Sequence, residues 1–209
     1  MVWSRIFLLF LLLPAVMGSG CVSLKRLAYE GFGRDRWQHA EEVVHALQIQ
    51  AGAHVADLGS GSGFFTFRLA DAVGRDGKVY AVDVDPQMNE YLMKRITEEG
   101  YKNIEVTFAA PSDPKLQESS VDLIFTCNTY HHLSERVTYF AYAKRYLRPG
   151  GRIAVIDFSG KGLFHKLFGH YAPRDLILSE MADAGYELDQ ELFFLPRQTF
   201  LVFKPKGVS

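Results

Sequence analysis

The sequence has 209 residues, 48% of them hydrophobic and 13% aromatic, with 23 Lys plus Arg against 24 Asp plus Glu and a formal net charge of -1. This length and apolar content suit one domain with a substantial core and exclude fibrous or disordered chains. No long run of one sign breaks the charge balance, so bulk charge indicates no nucleic-acid partner. The two cysteines, Cys21 and Cys127, form neither a disulfide framework nor a CxxC metal site.

Residues 1–20 read as a targeting segment rather than part of the fold. Arg5 precedes an apolar run from Ile6 to Met17, and Gly18, Ser19 and Gly20 then lead into Cys21. A basic start, a short apolar segment and small residues are the layout of a secretory signal. With Cys21 directly after them, the segment resembles a bacterial lipoprotein signal, which implies a lipidated Cys21 and a membrane-associated, exported protein. The alternative is an uncleaved anchor. Lys25, Arg26, Arg34 and Arg36 follow the segment, and the positive-inside bias would then keep the domain in the cytoplasm.

Residues 21–35 read as a linker or cap, and 36–205 as the folded domain. Trp37, Ala40, Val44 and Leu47 fall at helical spacing and predict a cap helix, with Tyr29, Phe32 and Trp37 near a ligand or packed on the sheet. His54 to Leu58 is the first strand. It enters VADLGSGSGFF, where Gly59, Gly61 and Gly63 make a sharp turn of bare backbone into a helix that Gly74 stops.

Lys78 to Val84 is a second buried strand ending in Asp83, and Asp85 with Pro86 opens the next helix. A third strand is expected at Ile104 to Ala109, followed by the loop AAPSDPKLQESS. A fourth strand runs from Val121 to Cys127, with Asn128 to Leu133 as its exit. A helix from Ser134 to Leu147 ends at Arg148-Pro149-Gly150-Gly151, and Arg152 to Phe158 is the fifth strand. A helix from Arg174 to Ala184 precedes an edge hairpin of Tyr186 to Leu195 and Thr199 to Phe203. Alternating βα units closed by a hairpin give an α/β sheet of about seven mostly parallel strands.

The glycines are spaced GxGxG, with Phe64 where a nicotinamide-binding turn carries Gly, and this weakens an NAD-dependent oxidoreductase reading. DxGxGxG at the first turn, an acid ending the second strand and LRPGG before the fifth resemble class I S-adenosylmethionine-dependent methyltransferases. The resemblance covers roughly Arg36 to Lys204 and implies a three-layer Rossmann-like methyltransferase fold. It further implies S-adenosylmethionine as cofactor and a small-molecule or lipid-like methyl acceptor.

The resemblance places the methionine part of the cofactor beside Asp57, Gly59 and Gly61, with Gly63 completing the turn. Asp83 would accept hydrogen bonds from the ribose hydroxyls, and Val84 and Met88 would flank the adenine. Asp113 would meet the adenine amino group, and Asn128 would lie near the methionine portion. A non-catalytic exported binding protein of the same fold is the other reading.

If the acceptor needs a base, His131, His132 and Asp157 stand at strand ends where one could act. Adjacent histidines on an extended segment point apart, so one of the pair is expected to face the site. His165, His170 and Tyr171 fall in a segment that would shape the acceptor pocket or form a membrane-facing lid. No HxxH pattern with an added carboxylate occurs, so no metal is expected.

Overall fold

The computed structural model describes residues 33–160 and 170–207. The expected targeting segment, most of the linker or cap, Tyr29, Phe32, His165 and the apolar stretch 162–168 lie outside the described residues. Among the described residues no helix is long and apolar enough to cross a membrane.

The strands are β1 (His54–Leu58), β2 (Lys78–Asp83), β3 (Ile104–Phe108), β4 (Val121–Cys127), β5 (Leu147–Phe158), β6 (Tyr186–Leu192) and β7 (Gln198–Pro205). The helices are α1 (Arg34–Gln38), α2 (Ala40–Ala46), α3 (Thr66–Val73), α4 (Pro86–Glu99), α5 (Arg136–Ala143) and α6 (Arg174–Asp183). The strands form one seven-stranded sheet in the order β3-β2-β1-β4-β5-β7-β6. β1 to β5 pair in parallel, and β7 runs antiparallel to both of its neighbours. The order reverses between β1 and β4, and their carboxyl ends make the crevice where open α/β sheets bind ligands.

Strand alternation separates two cores. Val55, Leu123, Phe125, Ala154 and Ile156 pack with Leu47 of the amino-terminal region and Leu69 of α3. Ala56, Leu58, Ile124, Ile153 and Val155 face Phe140 of α5 and Ile177 and Met181 of α6. Helices on both faces of a mostly parallel sheet satisfy its two-sided apolar pattern.

Two expectations, the cap and the helix after β4, are corrected. The cap is two short helices broken at His39, which sits in the left-handed region at φ 50°. Trp37 packs on the sheet, the second of its two expected places, and stacks on Phe158 at the end of β5 with ring centroids 5.8 Å apart. The helix expected from Ser134 to Leu147 is shorter, because Lys144–Tyr146 tighten into a 3-10 turn and Leu147 already pairs with Val121. The expected antiparallel hairpin stands at one edge of the sheet, with β7 between β5 and the edge strand β6.

Candidate active site

Gly59, Gly61 and Gly63 follow β1 with φ of 80°, 53° and 91°. The Gly59 and Ser60 N–H groups donate to the Val82 carbonyl at 2.8 and 3.2 Å. The turn therefore folds over the end of β2. A β-carbon on Gly59 would lie 2.0 Å from the Thr129 hydroxyl oxygen, so the turn also abuts the exit of β4.

Gly59→Ala should destabilise the fold by more than the ~1–2 kcal/mol of left-handed strain alone. Gly52→Ala, at φ 84° with nothing within 4 Å, should pay that strain only. Urea unfolding of both variants isolates the overlap with Thr129, and equal losses would show that the turn can yield there.

Asp83 ties β2 to the glycine turn. Its Oδ2 accepts the Gly61 N–H at 2.8 Å, and its Oδ1 accepts the Asp85 N–H at 2.9 Å. Asp85 caps α4 by accepting the Gln87 N–H at 2.9 Å, with Pro86 at the first helical position. Beside Asp83, Val84 is 57% exposed at the crevice, a large apolar surface in an otherwise buried strand end. Met88 is wholly buried, so of the pair expected to flank an adenine only Val84 offers surface.

Asp57 is almost entirely buried and accepts the Thr66 hydroxyl at 2.6 Å. Burial pushes its carboxyl up to about 7, against the Thr66 hydrogen bond and the Arg34 guanidinium, while Asp83 adds to the rise. Arg34 itself lies 4.0 Å above the Phe64 ring, and burial lowers its pKa from the usual arginine value.

Asn128 directly follows β4 at φ 58° and accepts the Gln198 side-chain amide at 2.7 Å. Gln38 donates to Gln198 at 3.3 Å, so a buried amide pair links α1 to β7 under the crevice. Cys127 is a buried thiol pushed up to about 12 by desolvation, in line with its reading as a small core residue. Asp113 is tied down elsewhere. Its Oδ1 accepts the Tyr146 hydroxyl and the Lys115 N–H, each at 2.7 Å, which accounts for the residue without a ligand.

Beyond Asn128 the chain makes a 3-10 turn at Tyr130–His132, where an extended exit was expected. The two adjacent histidines therefore stand together rather than apart, with ring centroids 4.0 Å from each other. Tyr130 anchors the turn from below. It is fully buried, stacks on Phe140, and donates to Glu180, which Arg136 also holds.

Asp157, wholly buried at the end of β5, accepts the His131 backbone N–H at 3.0 Å and lies 2.7 Å from its Nδ1. A carboxylate at that distance fixes the proton on Nδ1 and leaves a lone pair on Nε2. His170 completes the group, 5.8 Å from His131 and 5.6 Å from His132 between ring centroids. Partial desolvation, followed by the two neighbouring rings, lowers the pKa of His132.

Residues 55–151 match the family model described as a methyltransferase domain. That stretch, a little under half of the chain, is similar to methyltransferase domains. The chain is 33% identical over 106 residues to arsenite methyltransferase of Halobacterium salinarum, covering 51% of this chain and 27% of that protein. It is 30% identical over 112 residues to a ubiquinone/menaquinone biosynthesis C-methyltransferase of Hahella chejuensis, covering 53% and 45%. Aklanonic acid methyltransferase of a Streptomyces species is 34% identical over 112 residues, covering 54% and 51%.

The chain thus spans about half or less of the length of these curated relatives. The structure of a SAM-dependent methyltransferase from Aquifex aeolicus superposes with a TM-score of 0.76 at 28% identity, covering 81% of this chain and 91% of that one.

The crevice has room for the cofactor named for that neighbour, S-adenosylmethionine. A carboxylate has about four acceptor sites, and the two N–H donors on Asp83 leave room for both ribose hydroxyls. Several residues of the domain's surroundings escaped sequence reasoning. Thr66, Gln38, Gln198 and Thr129 act through partners distant in the chain, and no local pattern marks them. His170 was noticed only as part of a variable segment. The sequence has no HxxH pattern with an added carboxylate, the ground on which no metal is expected. The fold brings three histidines together from two segments, a grouping that such spacing does not reveal.

Proposed function

We propose that the protein transfers the methyl group of S-adenosylmethionine to a small organic acceptor. The observation that carries this reading is Asp83, which fixes the glycine turn through Gly61 and keeps acceptor capacity toward the crevice. The named relatives act on arsenite, on quinone precursors and on aklanonic acid, which supports a small-molecule acceptor. S-adenosylmethionine supplies a sulfonium methyl group open to in-line displacement, a reaction governed by alignment and desolvation.

In this reading Asp57 faces the cofactor's ammonium group, Asp83 holds the ribose, and Val84 lies against the adenine. Asn128 borders the methionine portion. His131, oriented by Asp157, receives an acceptor's proton at Nε2 where the nucleophile needs a base.

Calorimetry on the full chain should show S-adenosylmethionine binding in the micromolar range that is common for such ligands. A panel of hydroxylated and quinol-like acceptors should then release S-adenosylhomocysteine. Absence of cofactor binding would overturn the reading. We further propose that residues 1–20 bring the domain to a membrane, as their signal-like layout suggests. A compartment-specific reporter fused after Ser209 tests on which side it lies.

A further inference from the structure

We propose that His131, His132 and His170 form a binding site for a divalent transition-metal ion of the zinc class. One ligating nitrogen from each ring lies within 4.8 Å of the other two. Imidazole nitrogens bound to tetrahedral zinc at ~2.0–2.1 Å stand about 3.3 Å apart. The gap is within reach of small side-chain rotations, because His132 and His170 are exposed and able to turn.

The inner ligand is already oriented. Asp157 holds His131 through both the backbone N–H and Nδ1, and aims Nε2 away from the carboxylate. A buried carboxylate hydrogen-bonded to a ligating histidine fixes its tautomer and raises its basicity toward a metal. The outer ligand is placed independently. His170 precedes Tyr171, whose ring would lie 2.7 Å from a β-carbon on Gly160, and the buried Ala172.

The site adjoins the methyl-transfer crevice, because its turn follows Thr129, the residue against Gly59. Three imidazoles leave one tetrahedral position open, as in catalytic rather than structural sites. If the methyl-transfer reading holds, that position fits an acceptor with an ionisable hydroxyl or thiol. A cation there also occupies the His131 lone pair, so the loaded protein would not use that nitrogen as a base.

The test is titration of Zn2+ into the chelator-treated full chain by calorimetry, with Co2+ absorption as the spectroscopic readout. One equivalent should bind and give visible tetrahedral Co2+ bands. His170→Ala and His132→Ala should each weaken binding at least tenfold, and Asp157→Asn should weaken it ~10–100-fold through orientation. His45→Ala, on the exposed side of α2, should bind as the unmodified chain does.

His170 is exposed, so its variant should keep the native circular dichroism and remain decisive if Asp157→Asn fails to fold. Zinc binding by His170→Ala equal to that of the unmodified chain, or no binding by the latter, overturns the site. Titrating S-adenosylmethionine into the same preparation separates the two readings. Cofactor binding without zinc binding removes only the metal site, and zinc binding without cofactor binding removes only the methyl-transfer reading.

Discussion

Asp83→Ala is expected to lower S-adenosylmethionine affinity at least a hundredfold, the largest loss from any single change in the crevice. Hydrogen bonds to a charged acceptor contribute roughly 1.5–3 kcal/mol each, and two ribose hydroxyls would lose theirs together. The turn suffers as well, because the Gly61 and Asp85 N–H groups lose the carboxylate that accepts them. Each buried donor left unmet costs about 1–3 kcal/mol, so urea unfolding should show a weaker fold alongside the weaker binding. Asp83→Asn separates the effects. Its amide oxygen can still accept from Gly61, but its NH2 group faces the Asp85 donor. Stability should recover in part while the ribose contact stays impaired. An Asp83→Ala variant that binds the cofactor normally would remove Asp83 from the ligand contacts.

Cofactor affinity should also depend on pH through Asp57. With its carboxyl raised to about 7 by burial, Asp57 is mostly protonated at pH 6 and mostly ionised at pH 7.5. Apparent affinity scales with the binding-competent fraction, so pairing with the ammonium group predicts binding nearly tenfold tighter at pH 7.5 than at pH 6. Folding responds in the opposite sense. The native state holds a proton that the unfolded chain releases near pH 4. The stability gained from it is complete below that value and is lost as pH rises to about 7. Asp57→Asn should flatten both profiles and lower the affinity plateau. Calorimetry and urea unfolding across this range check the pair of slopes, and a variant that kept the unmodified affinity profile would place the titrating group elsewhere.

Much of this architecture was legible in the sequence because local rules and fold agree. Short β-branched runs such as KVYAVDV became parallel strands, Asp85 and Pro86 opened α4, and the glycines took the positive φ that their spacing requires. The acid at the end of β2 lies against the turn because parallel register brings Leu58 beside Val82.

What escaped depends on contacts that are distant in sequence. The resemblance places Met88 at the adenine, whereas its side chain is wholly buried. The histidine pair was read with strand geometry, whereas a 3-10 turn keeps neighbouring rings together. His170 joins them through the packing of Tyr171 near Gly160, a relation no local periodicity encodes.

The late entry of β7 into the sheet bears on how the chain is made. β5 and β6 both precede β7 along the chain, yet neither pairs with the other, and Gln198–Pro205 lies between them. During synthesis the β5 edge from Ile153 to Phe158 and the inner edge of β6 therefore wait, unpaired, for the final strand to leave the ribosome. Exposed strand edges are templates for association between chains. Until residue 205 has emerged, both edges are open to association with another chain.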